Sequence, residues 1–199
     1  MYIATNDTLT DIEIRGLSAS FSLADGHAYQ DTGHHYQSII DDLSSCWQRA
    51  TQASVPEMED NFKNSFATLI GSPTVASLSD FRICPTASNS IDIIGAFLAQ
   101  SGLRTALIEP TFDNLALLLK RRGASVVSAS DDGLMAAARA GSPADVLERL
   151  DVAALFLVNP NNPTGRTLEG AELEALLAYC NRTGTKLIMD NSFLAWCHR

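Results

Sequence analysis

Four short, largely apolar runs constrain this chain more than anything else in it: TALIE (105–109), SVVSA (125–129), AALFLV (153–158) and TKLIMD (185–190). A strand with no polar face must be covered on both sides, which is the signature of a parallel sheet, and AALFLV is therefore expected at its centre. The segments between the runs are patterned as helices. FDNLALLLKRRG (112–123) ends at Gly123, with Lys120, Arg121 and Arg122 at the end where cations suit the helix dipole. SPADVLERL (142–150) opens with Ser142 as N-cap and Pro143 at the first helical position. LEGAELEALLAYCNRTG (168–184) places Leu173, Leu176, Leu177 and Cys180 on one face and stops at Gly184. Strand–helix alternation of this kind predicts an α/β fold, a mostly parallel sheet between two helical layers (αβα).

The first 75 residues follow a different pattern, so the chain divides into an N-terminal arm with helices (1–75) and a sheet-bearing region (76–199). The arm is expected to hold a loop over 17–35 and two helices. The second, VPEMEDNFKNSFATLIG (55–71), carries Met58, Phe62, Phe66 and Leu69 at helical spacing, read as core, and Gly71 as its stop.

Composition excludes some classes of function. Hydrophobic residues make up 46% and charged residues 19%, which is too apolar for a disordered chain. A net charge of −9 argues against nucleic acid as a partner, since displacing counterions needs a basic face. No apolar run has the length of a membrane span, and the start has no signal-peptide pattern. Cys46, Cys84, Cys180 and Cys197 are widely spaced and form no CxxC, so reduced thiols and a cytoplasmic setting are expected, with no structural zinc.

Parallel sheets bind ligands beyond the carboxyl ends of their strands. Four features stand at such ends. In CPTASNSIDIIGAFLAQSG (84–102), small hydroxyl residues open an apolar helix, an arrangement suited to an anion or to a plain N-cap cluster. Phe112 follows a strand, where it could stack on a flat ligand or serve as core. NPNNPTG (159–165) sets Asn159, Asn161 and Asn162 between Pro160 and Pro163. Its prolines fix φ and stiffen the loop, and an ordinary turn needs one such residue rather than a run of them. Asp190 ends an apolar strand, where a carboxylate is costly unless paired, capping a helix or facing a ligand. The sequence has no GxG, no GxSxG and no phosphate-binding lysine loop. His27, His34 and His35 follow no metal-ligand spacing, so no metal is expected.

These elements in this order resemble the fold-type I pyridoxal-phosphate enzymes, in the class I/II aminotransferase branch. The resemblance runs from about residue 80 to the end, and NPNNPTG is its most specific part. It implies pyridoxal 5′-phosphate as cofactor, with Ala87, Ser88 and Asn89 around the phosphate and Phe112 stacked on the ring. Asn162 would bond the phenolic oxygen, and Asp190 would pair with the pyridine nitrogen, whose protonation makes the ring an electron sink. Amino-group transfer from an amino acid, in a homodimer, would be the ordinary activity.

A narrower resemblance covers more of the chain. LADGHAYQ, EPTFDNLALLL, NPNNPTGRTL and DNSF look like the oxygen-using arginine oxidases and hydroxylases that depend on the same cofactor. It implies L-arginine as substrate, Glu13 and Asp25 facing its guanidinium, and His27 in the oxidative chemistry. Two carboxylates suit a guanidinium fork. Phe193 stands where typical aminotransferases have a Tyr that donates to the phenolic oxygen, and a Phe cannot donate. The family's catalytic lysine lies well downstream of the Asp. The three lysines here, Lys63, Lys120 and Lys186, do not match its position. The chain therefore reads as the N-terminal half of such an enzyme, working with a lysine-bearing partner segment or surviving as a non-catalytic remnant.

Overall fold

The computed structural model describes residues 9–21 and 33–196. The chain divides into two compact units, Met1–Ile83 and Cys84–Arg199.

The second unit holds four strands: β1 (Thr105–Glu109), β2 (Val126–Ser130), β3 (Ala154–Val158) and β4 (Lys186–Asp190). All pair in parallel, in the order β2-β1-β3-β4. Every residue of β3 is buried, which meets the expectation of a central strand. Alternate side chains feed two separate cores. Leu107, Ala154, Phe156 and Val158 pack with Ile91 and Leu98 of α5 (Ala87–Gln100) and with Leu115 and Leu119 of α6 (Asp113–Arg121). Ala106, Ile108, Leu155 and Leu157 face the other way, onto Leu134, Met135 and Ala138 of α7 (Asp131–Arg139), Leu147 of α8 (Ala144–Leu147) and Leu176 of α9 (Gly170–Thr183). Helices thus cover both faces, giving the three-layer αβα arrangement.

Two local readings change. Residues 142–150 form only the short α8 and a 3-10 turn, Glu148–Leu150, with Pro143 itself at the cap position. Helix α7 is an addition. Its opening Asp-Asp-Gly has low helix propensity. Ser130 compensates by accepting from Gly133 N at 3.2 Å, and Leu134, Met135 and Ala138 bury the far face.

The first unit contains α1 (Leu9–Leu17), α2 (Gly33–Gln52), α3 (Val55–Ile70) and α4 (Pro73–Ala76). Helix α1 occupies the start of the arm and runs to the edge of the expected loop. Ser54 caps α3 and Gly71 ends it in the left-handed conformation at φ 62°, as its sequence predicts. The core assignment on α3 does not hold. Phe62 is 51% and Leu69 68% exposed, Met58 and Phe66 are also exposed, and only Ala67 and Ile70 are buried. A stripe at helical spacing shows that a face favours cover. Phe62 and Phe66 instead stack on each other with centroids 6.3 Å apart.

Candidate functional site

The strand order reverses direction between β1 and β3, the position where open parallel sheets leave a crevice at their carboxyl edge. A cavity of about 190 Å³ lies there. The start of α5 supplies Ala87, Ser88 and Ile91 to it, and the loop after β1 supplies Phe112. Val158 and Asn162 enter from β3 and its loop, and Asp190, Ser192 and Phe193 from the end of β4. Five residues expected around a cofactor, Ala87, Ser88, Phe112, Asn162 and Asp190, therefore meet in one place.

The start of α5 is prepared for an anion. Thr86 is its cap, accepting from Asn89 N at 3.3 Å through Oγ1 and donating that hydroxyl to Asn89 Oδ1 at 2.8 Å. The N–H groups of Ala87 and Ser88 precede the first helical hydrogen bonds and have no partner among the described residues, which suits them to a ligand. Asn89, the third residue expected around a phosphate, has its N–H and side chain engaged in the cap and is not among the cavity's lining residues.

The three asparagines of NPNNPTG have separate tasks. Asn159 is buried and pairs with the main chain of Leu168, donating Nδ2 to its carbonyl at 3.0 Å and accepting its N–H at 2.8 Å. Its own N–H donates to the Asp190 carbonyl at 2.8 Å, which ties the loop to the end of β4. Asn161, 6% exposed, donates Nδ2 to the Pro110 carbonyl at 3.0 Å and so joins this loop to the one carrying Phe112. Gly165 closes the turn by donating to the Asn161 carbonyl at 2.7 Å, at a φ of 70° that a side chain would resist. Of the three, only Asn162 lines the cavity. The peptide bonds before Pro110, Pro160 and Pro163 are cis.

Asp190 is the last residue of β4. Its Oδ1 accepts from Ser192 N at 2.9 Å and Ser192 Oγ at 2.6 Å. Oδ2 has no hydrogen-bond partner among the described residues. Sequence reasoning missed Ser192, although a Ser two residues after an Asp is the signal of such a turn. None of the lysines lines the cavity. Lys63 pairs with Asp60 in the first unit, Lys120 is exposed at the end of α6, and Lys186 opens β4, about 13 Å along the strand from Asp190.

Of the residues expected at a substrate, Glu13 lies in α1, with its side chain outside the described part. Asp25 and His27 lie outside the described residues. Among the described residues no cluster of His, Cys, Asp or Glu could hold a metal ion, and no helix is long and apolar enough to cross a membrane. Cys46, Cys84 and Cys180 form no disulfide.

Free N–H groups, a flat aromatic, an amide and a strand-end carboxylate with one open oxygen fit a phosphorylated, nitrogen-containing aromatic ring. The similarities to known proteins point the same way. The family model for aminotransferase class I and II matches residues 26–198. The structure of MppP soaked with the product 2-ketoarginine is 33% identical at a TM-score of 0.70, over 85% of this chain and 47% of that one. A threonine-phosphate decarboxylase from Sinorhizobium sp is 33% identical over 96 residues, 48% of this chain and 25% of its own length. The histidinol-phosphate aminotransferase from Clostridium acetobutylicum shares the fold at a TM-score of 0.56 and 19% identity, over 78% of this chain and 43% of its own. The chain thus spans half or less of the length of these relatives.

Proposed function

The chain belongs to the aminotransferase class I and II family, whose cofactor is pyridoxal 5′-phosphate, and on that premise we propose that it forms the cofactor-binding part of an enzyme that oxidises L-arginine. The observation that carries the cofactor reading is the meeting of Ala87, Ser88, Phe112, Asn162 and Asp190 in one cavity. When bound, the cofactor supplies an electron sink for the bond broken at the amino acid's α-carbon. The chain's own residues hold and polarise it. The N–H groups of Ala87 and Ser88 bind the phosphate, and Phe112 covers a ring face. Asn162 donates to the phenolic oxygen. Asp190 accepts from the ring nitrogen through Oδ2 and keeps the proton there.

Arginine and oxidation are the finer part of the proposal. Their support is the 33% identity to MppP, whose soaked ligand is a 2-oxo acid of arginine, together with Phe193 at the cavity. A Phe offers no donor to the phenolic oxygen, which leaves that oxygen to Asn162. Glu13 and Asp25 are assigned to the guanidinium and His27 to the oxidative step. The balanced reaction takes L-arginine, oxygen and water to the 2-oxo acid, ammonia and hydrogen peroxide. Amino-group transfer to a 2-oxo acid, the ordinary chemistry of the family, is the alternative. A cytoplasmic dimer, or a pairing with a segment carrying the catalytic lysine, completes the proposal.

Two measurements test it. Titration of the chain with pyridoxal 5′-phosphate, followed by absorbance, should saturate; no binding ends the cofactor reading. With a lysine-bearing segment supplied, L-arginine should consume oxygen and release peroxide. Amino-group transfer without oxygen uptake would end the oxidase reading and leave the cofactor site intact.

A further inference from the structure

Asp131 opens α7, and its carboxylate is buried, with 7% of the side chain exposed. A buried charge persists only where it is paired and hydrogen-bonded. Here the partners come from the loop that carries Asn162. Thr164 Oγ1 donates to Asp131 Oδ2 at 3.1 Å, and Arg166 Nη1 lies 3.5 Å from the same oxygen. Arg166 also pairs with Asp132, and that pairing raises the pKa of the guanidinium. Arg166 N donates to Thr164 Oγ1 at 3.3 Å, so this hydroxyl links the loop's backbone to α7. The Arg166 carbonyl in turn accepts from Asn161 N at 2.8 Å, one residue before Asn162. A continuous set of bonds therefore runs from the second helical layer, through the loop, to the edge of the cavity.

We propose that Asp131 is a positioning residue for the cofactor site: its buried carboxylate, met by Thr164 and Arg166, holds loop 159–168 in the conformation that presents Asn162 to the cavity. The competing role is a plain helix-opening acid, since any carboxylate in a first turn complements the helix dipole. Asp132 serves that role equally well, with its side chain 77% exposed. Depth separates the two: the side chain of Asp131 is 7% exposed against 77% for Asp132, so a partner lost at its Oδ2 is poorly replaced by water. What Asn162 does once presented rests on the cofactor reading above; the latch itself rests on the bonds within this chain.

Amide hydrogen exchange on the full chain separates these roles. The amides of Asn161, Gly165 and Leu168 are read relative to those of β3, so that a general loss of stability cancels. In D131N the loop amides should exchange about 10-fold faster or more relative to β3, because bonds to a charged group are lost locally. D132N loses the exposed pairing with Arg166 but keeps the buried carboxylate and its bond from Thr164, so it should move the ratio less than D131N. T164V keeps the charge, removes the hydroxyl and should move the ratio in the same direction, which keeps the test open if D131N does not fold. Titration with pyridoxal 5′-phosphate reads the consequence: D131N weakens binding several-fold alone and adds nothing to N162A, because its effect passes through Asn162. Wild-type exchange ratios in both D131N and T164V would overturn the proposal, as would equal weakening by D131N with and without Asn162. Failure of the wild-type chain to bind the cofactor overturns the cofactor reading instead, and the exchange ratios still decide the latch.

Discussion

Ser192 holds Asp190 by a single carboxylate oxygen. Its hydroxyl and its backbone N–H both donate to Oδ1, at 2.6 and 2.9 Å, on the turn that follows β4. The other oxygen has no hydrogen-bond partner among the described residues, on a cavity-lining residue whose backbone is fixed by pairing with Val158. A short turn of three residues thus decides which way the charge at the end of β4 points.

The effects of altering this pair should be graded. Replacing Asp190 with Asn removes the charge from the ring-nitrogen contact and should weaken binding of pyridoxal 5′-phosphate by about 10- to 100-fold, the worth of a charge-assisted bond. Replacing Ser192 with Ala removes one orienting bond and should weaken it by about 5-fold. Titrations of both variants check the order; a S192A loss as large as that of D190N would mean that Ser192 contacts the ligand directly.

Asn159 and Asn162 stand three residues apart and should fail in opposite ways. Asn159→Ala strips two bonds from the buried main chain of Leu168 and should cost about 2–4 kcal/mol of stability. Asn162 has no hydrogen-bond partner among the described residues and is only partly buried, so Asn162→Ala should stay within about 0.5 kcal/mol of wild type. Cofactor titration should reverse the ranking once each variant is shown folded. Urea denaturation and titration of the same two proteins provide the comparison.

Much of this was legible in the sequence, for physical reasons that differ by element. The strands were readable because AALFLV has no polar face and can lie only inside a sheet covered on both sides. The loop of asparagines, Phe112 and Asp190 stood out as candidates because each stands at the carboxyl end of a strand, the edge where a parallel sheet binds, and only the family resemblance singled out Asn162 within the loop. Asp131 was not, because its value comes from Thr164 and Arg166, more than thirty residues away, and local patterning carries no such pairing. Helix α7 was missed for a related reason: its opening Asp-Asp-Gly reads as a turn until Ser130 and the core beneath are in place. The aromatic stripe of α3 was read correctly as periodic and wrongly as buried, since periodicity fixes a face and says nothing of what covers it.

Cys180 and Cys46 should differ in reactivity. Burial of Cys180 against Leu176 and Tyr179 pushes its thiol pKa up, so the reactive thiolate is scarce at neutral pH. Cys46 is exposed on α2, with Arg49 Nη2 3.0 Å from its sulfur. Iodoacetamide at neutral pH should label Cys46 in the native chain and reach Cys180 only after denaturation, as peptide mass spectrometry would show. Equal labelling of the two in the native chain would mean that α9 opens readily.

Asp92 gives a pH dependence whose sign follows from its partners. Arg122 and Arg121 both donate to its carboxylate, and they hold its pKa far below the usual carboxylate range. A depressed folded-state value stabilises the folded form above the ordinary Asp pKa of about 3.9, and this contribution is lost as pH falls towards the folded value. Wild type should therefore exceed D92N in urea midpoint at pH 7, with the gap closing progressively below about pH 4. The pair joins α5 to α6 at the surface, so high salt at pH 7 should shrink the same gap through screening. A gap that stays constant from pH 7 to pH 3 would assign the D92N effect to packing at the start of α5 rather than to charge.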